Sequence, residues 1–218
     1  MPKLSIKLIT LFAIFSLALT SCFTVSYTPW VSLDVSKTTI KKSVVVEKFV
    51  DNTSDDERKN PLAGFSVTNS RALTKDLNTE VTRAIASDFS ANAVFEDVRL
   101  KNEDADYIIR GEIKKFVGKN RPTNGFWIIV PPFLNLSAIV FICGAPARIS
   151  KVDIEIQLSV YDRSNHLVGT YSGVATDIHR DNIYNDKTAA TISFVNKNFS
   201  KAVLSIRDQI IKDAAKYK

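Results

Sequence analysis

The chain is 218 residues long, with 29 basic and 23 acidic side chains, a net charge of +6, two histidines and two cysteines. The charges are scattered. Nucleic-acid binding calls for a basic stripe interleaved with aromatics, so no nucleic-acid partner is expected.

The N-terminus reads as an export signal. Lys3 and Lys7 form a positive n-region, and Leu8 to Leu19 give a 12-residue apolar run. A spanning helix needs about 20 apolar residues, so this run suits a signal-peptide h-region instead. It ends in Leu19-Thr20-Ser21-Cys22, which resembles the bacterial lipobox. That resemblance implies cleavage after residue 21 and diacylglycerol on the Cys22 thiol, with acyl chains such as palmitate holding the protein to a membrane at ~0.8 kcal/mol per buried CH₂. The covalent lipid is the only non-protein group expected, with no cofactor and no metal. Phe23 follows the cysteine where inner-membrane retention would call for aspartate, which resembles lipoproteins sorted to the outer membrane, facing the periplasm. Loss of Lys3 and Lys7 leaves 27 basic residues against 23 acidic. With Cys22 acylated, Cys143 has no partner for an internal disulfide. Its apolar neighbours predict a small, buried, inert side chain. Residues 22–42 read as a lipidated tether containing Pro29 and Trp30, and 43–218 as a single domain.

The predicted elements follow in order. "SVVVEKF", 43–49, is β-branched and nearly continuous in apolar character, as in a strand buried on both faces. "DNTSDDERKNP" is a polar loop, and its Asp55, Asp56 and Glu57 lack metal-ligand spacing. From Ser70 to Ser90 the apolar residues Leu73, Leu77, Val81, Ala84, Ile85 and Phe89 recur at helical spacing. "VFEDVRL", 94–100, reads as a short strand. Residues 105–117 read as another, with Tyr107, Ile109 and Ile113 on one face. After an uncharged stretch at 125–147, Val152, Ile154, Ile156, Leu158 and Val160 alternate with polar residues in strict period two. "DRSN", 162–165, makes a turn into a partner strand over 167–176. A last helix is predicted from about Ser200, with Phe199, Val203, Ile206, Ile210 and Ala214 on one stripe.

The order strand, helix, strand, strand, insert, strand, strand, helix predicts an α+β fold, a mostly antiparallel sheet with two helices on one face. "KSVVVEKFVDNTS", "LTKDLNTEVTRAIASDF", "ADYIIRGEI" and "VDIEIQLSVYDRSNHLVGTYSG", in that order, resemble a group of periplasmic modules. The group includes the N-terminal domain of the Tol–Pal translocation protein, the curli-secretion lipoprotein and the lipoprotein activator of a penicillin-binding protein. The resemblance implies a binding, assembly or pore-forming role, carries no catalytic residues over, and departs at the insert.

No catalytic motif is present: no G-x-S-x-G, H-E-x-x-H, C-x-x-C pair or phosphate-binding glycine loop. His166 follows a turn, and Asp177-Ile178-His179 reads as alternating strand residues. No enzyme activity is expected. The distinctive stretch is "GFWIIVPPFLNLSAIVFICGAPA", 125–147. A single membrane span is excluded because the strands on either side must pair in one domain, and Pro131-Pro132 breaks the run. Pro132 at a first turn, Gly144 just past a last turn and Pro146 beyond predict a helix of about 17 Å. Phe126, Trp127, Phe133, Leu134, Leu136, Ile139, Val140 and Phe141 are the candidate contact residues, with Ile142 beside them. An all-apolar helix is buried in something. Three destinations stay open: the domain's own core, the membrane, or an identical or different envelope subunit. Lys119, Arg121, Arg148 and Lys151 flank the insert as interfacial cations do. The expected role is therefore an outer-membrane assembly or binding lipoprotein, with a lipid- or lipopolysaccharide-handling accessory and a regulator of a peptidoglycan enzyme as alternatives.

Overall fold

Val44, Val45 and Val46 are each at most 2% exposed, so the strand that carries them is covered on both faces and has a neighbour on either side. The structure, a computed structural model, describes residues 27–31, 40–62, 64–69, 73, 76–100, 104–123 and 141–217. Within them the chain forms β1 (Ile40–Val46), β2 (Val50–Asp51), α1 (Asp55–Arg58), β3 (Phe65–Ser66), α2 (Leu77–Ala91), β4 (Phe95–Arg99), β5 (Tyr107–Pro122), β6 (Arg148–Asp162), β7 (Leu167–Asp181) and α3 (Lys187–Lys212), closed by a 3₁₀ turn at Ala214–Lys216.

The fold is α+β with a seven-stranded sheet in the order β4-β1-β5-β6-β7. β1, β2 and β3 line one edge of β5 in succession, and β6 lines the other. The sheet is mixed. β5, β6 and β7 form a long antiparallel meander, whereas β1 runs parallel to both β4 and β5, and β2 parallel to β5. Parallel neighbours need a crossover, and α2 supplies it between β1 and β4. A helix between two strands signals such a unit, so the parallel half follows from the same element order that suggested antiparallel pairing.

Both long helices cover one face. Leu77, Val81, Ile85 and Phe89 of α2 and Val195, Phe199, Val203, Ile206 and Ile210 of α3 are buried, with Phe199 edge-on to Phe116 of β5 at 5.5 Å. α3 begins at Lys187, earlier than the apolar stripe predicts. Asp186 caps it, its Oδ1 accepting from the N–H groups of Thr188 (2.8 Å) and Ala189 (3.0 Å), and the first turns bury Thr191 and Asn198 where a stripe search looks for apolar residues. α2 begins at Leu77, and the polar loop after β2 contains one helical turn whose Arg58 is buried against Asp51. The opposite sheet face is mostly polar, with Val174 and Ile178 of β7 exposed on it. Lys115 there lies 2.9 Å from both Glu57 and Asp153, and these hydrogen bonds raise its pKa. At the outer edge of β7 the Gln209 amide donates to Ser172 O (2.7 Å) and accepts from Ser172 N–H (3.3 Å).

The helices meet at a buried ion pair. Asp88 of α2 is 2% exposed, lies 3.6 Å from Arg207 of α3 and accepts from Asn92 at 2.8 Å. Its Oδ2 makes no hydrogen bond among the described residues. Burial pushes its pKa up to about 6, against the pull of Arg207 and Asn92. A carboxyl raised in the folded state favours folding when protonated, so its contribution is full below about pH 4 and is lost as pH rises through about 6. The stability difference between wild type and Asp88→Asn, from urea denaturation, is therefore expected to fall between pH 4 and 6.5 and then level off. A difference that rises over that window would contradict this.

Candidate functional site

The insert is held at its base like a hairpin. Pro122 at the end of β5 pairs with Arg148 at the start of β6, and beyond them Thr123 N–H donates to Ala147 O at 2.9 Å. Ala147 N–H in turn donates to Asp181 O of β7 at 2.8 Å. The chain thus leaves and re-enters the sheet at one point. Residues 141–142 are helical, Gly144 N–H donates to Phe141 O at 3.0 Å, and Gly144 has φ +94°. A left-handed residue just past a last helical turn is the place where glycine carries no Cβ penalty.

Of the candidate contact residues, Phe141 is described and is half-buried. Cys22, Phe126, Trp127, Phe133, Leu134, Leu136, Ile139 and Val140 lie outside the described residues, as do the signal segment and Pro131-Pro132. Cys143 is exposed, not buried as its apolar neighbours predicted; it follows the last helical turn at a point where the chain is already turning back. Among the described residues no group of His, Cys, Asp or Glu is placed to hold a metal, and no helix is long and apolar enough to cross a membrane.

The surface around this base is apolar and basic. Ile142, Ile178, Ile183 and Tyr184 are 60%, 59%, 43% and 63% exposed, and the Tyr184 hydroxyl donates to Ile142 O. Arg121, Lys151 and Arg180 are exposed beside them. The nearby carboxylates are engaged: Asp186 caps α3, and the buried Asp181 accepts from Asn185 at 3.0 Å and lies 3.0 Å from His179 Nε2. His179 packs on Phe194 at 5.4 Å, a structural placement. His166 is exposed and bonds to Asp162 in the β6–β7 turn.

Beneath the rim lies a closed polar network. Asn120 Nδ2 donates to Ser150 Oγ (3.0 Å) and Thr191 Oγ1 (3.2 Å), Ser150 Oγ lies 3.2 Å from Thr191 Oγ1, and Thr191 donates to Lys187 O (2.7 Å). Arg148 Nη1 donates to Asn120 Oδ1 at 3.1 Å, and partial burial lowers the Arg148 pKa. These bonds tie β5, β6 and α3 together and give the insert a rigid base.

The tether supplies the feature the sequence reading missed. Tyr27 is 2% exposed, packs on Phe116 at 6.1 Å and donates its hydroxyl to Asn196 Oδ1 at 2.9 Å. The chain is therefore docked at residues 27–31, well before the predicted domain start at 43. Trp30, 60% exposed, follows it along α3, where Ser200 Oγ donates to Trp30 O at 3.4 Å. A groove of about 770 Å³ opens between Trp30 and α3. Tyr27 and Trp30, in a Ser- and Thr-rich segment, were the available signal.

No family model matches the chain, and no curated protein does. Solved structures do. The chain is similar to a Xanthomonas campestris protein of the DUF330 family, at 10% identity and TM-score 0.49 over 87% of this chain and 96% of that one. It is also similar to a minor lipoprotein from Acinetobacter baumannii, at 11% identity and TM-score 0.41 over 80% and 94%, and to the PelC dodecamer from Paraburkholderia phytofirmans, at 14% identity and TM-score 0.35 over 84% and 95%. Lipoproteins of Gram-negative bacteria thus stand among the structures this chain is similar to.

Proposed function

We propose that this chain is a non-enzymatic envelope lipoprotein, anchored through lipid on Cys22 at the outer membrane, whose insert makes a second contact with that membrane and so fixes the orientation of a binding or assembly module. One observation carries this: the docked tether and the base of the insert both attach to the N-terminal half of α3. Tyr27 bonds to Asn196, five residues along α3 from Thr191, which bonds to Asn120 and Ser150 under the insert. Five helical residues span about 7.5 Å. An apolar rim bearing arginine and lysine at that end suits the headgroup region, where such side chains extend to phosphates.

The test uses non-acylated protein lacking residues 1–21 with Cys22→Ser. Because Thr123 and Ala147 are already hydrogen-bonded, residues 124–146 can be replaced by Asn-Gly, the preferred two-residue hairpin turn. The unshortened protein is expected to sediment with lipid vesicles. The shortened one is expected to stay in solution with an unchanged circular dichroism spectrum of the sheet. Unfolding on shortening would place the insert in the core. A shift from oligomer to monomer without any vesicle binding would assign it to a subunit contact.

A further inference from the structure

Tyr27 shortens the lipid leash. Cys22 is five residues from Tyr27, and five residues fully extended reach at most ~18 Å. A folded body of this size has a radius of gyration of about 16 Å. The leash is therefore shorter than the molecule is wide. Only the side on which Tyr27 enters can approach the headgroups, and Trp30, three residues further on, lies on that side.

What this side presents is the groove between Trp30 and α3. Its walls include Ile192 and Leu204, and Lys197 and Lys201 stand on its rim. Trp30 is 60% exposed, and both lysines are exposed. Lys201 lies 3.4 Å from Asp177 in an exposed pair, which contributes little and yields readily to a stronger anion. An indole beside an apolar trough, with ammonium groups at its rim, is the composition of a surface that meets the membrane interface. The volume, about 770 Å³, falls in the ~300–1,000 Å³ range of small-molecule sites.

We infer that the Trp30 groove is a docking site for an anionic phospholipid of the membrane that holds Cys22, with acyl carbon against Trp30, Ile192 and Leu204 and phosphate on Lys197 and Lys201. The inference rests on acylation at Cys22, because the short leash is what turns this side toward the membrane. It adds a lipid site on the helix layer to the contact proposed for the insert.

The chain's two tryptophans separate the two contacts, since Trp30 lies at the groove and Trp127 in the insert. In the non-acylated Cys22→Ser protein, Trp127→Phe leaves Trp30 as sole indole and Trp30→Phe leaves Trp127. Each is titrated with vesicles of phosphatidylcholine containing phosphatidylglycerol, and with phosphatidylcholine alone. The expected result is a blue shift of Trp30 emission with the anionic vesicles. In the Trp127→Phe background, Lys197→Gln/Lys201→Gln is expected to weaken the vesicle affinity read at Trp30 about 30-fold, at roughly one interfacial basic residue's worth for each lysine. Unchanged Trp30 emission, with Trp127 shifting, overturns the groove site and leaves the insert contact standing. Trp30 shifting while Trp127 does not supports the groove and overturns the insert contact. A Trp30 shift without vesicles that grows with protein concentration assigns the groove to a second copy and overturns the inference. No shift in either protein overturns both.

Discussion

Tyr27→Ala is expected to destabilise the soluble, non-acylated protein by about 3–5 kcal/mol, the range for truncating a fully buried aromatic. The size would surprise anyone treating residues 22–42 as a tether. It follows from where the ring sits: 2% exposed, against Phe116, with its hydroxyl bonded to Asn196 between the sheet and α3. Burial pushes the Tyr27 phenol pKa well up, so the hydroxyl stays protonated and donating. Tyr27→Phe keeps the ring and loses one hydrogen bond, at about 0.5–1.5 kcal/mol. Urea denaturation of both variants measures the difference. Against a typical domain stability of ~5–15 kcal/mol, the alanine variant forfeits a large share. An alanine cost no greater than the phenylalanine one would show that the segment merely rests on the surface.

The second large effect belongs to Gly173 of β7, opposite Ile156 of β6. A Cβ added there would lie 2.1 Å from the carbonyl oxygen of Ala202 in α3. The obstacle is helix backbone, so no rotamer change relieves it and α3 would have to lift from β7. Overpacking of this kind costs about 3 kcal/mol or more. Gly173→Ala is expected to lower the thermal midpoint by many degrees, and Gly173→Val to prevent folding. Ala202→Gly is expected not to rescue either variant, because the methyl of Ala202 is not what blocks the space. Gly173→Ala at wild-type stability would mean that the helix rides higher above the sheet.

Much of this architecture was legible in the residues. Period-two alternation from Val152 to Val160 marked β6, because a strand with one wet face records its geometry in every second residue. The stripe Leu77, Val81, Ile85 and Phe89 marked α2 for the same reason at helical spacing. Legibility failed where burial is polar. Thr191, Asn198 and the Asn120–Ser150–Thr191 network are buried through hydrogen bonds, and a hydropathy pattern does not register them, so the apolar stripe starts the last helix only at about Ser200. It failed again at the tether, where Tyr27 finds its pocket from partners far along the chain: Phe116 and Asn196 have no local signature. At the insert the punctuation at Gly144 was readable because positive φ is a backbone demand, whereas the exposure of Cys143 depends on the direction of the returning chain. Pairing direction was legible too, in the continuous apolar run of β1 and in the helix between β1 and β4, both marks of a parallel unit.

Gln209 bears on a different matter. β7 is an outer strand of 15 residues, long enough to template a neighbour. The side-chain amide on Ser172 imitates the main chain of an absent strand, donor and acceptor alike. An incoming segment would have to displace both bonds at the middle of the edge, leaving only short open stretches on either side. Side-chain mimicry of this sort works against runaway strand addition without closing the sheet into a barrel. Its effect is kinetic: the meander can stay open-edged while strand addition at β7 is slowed.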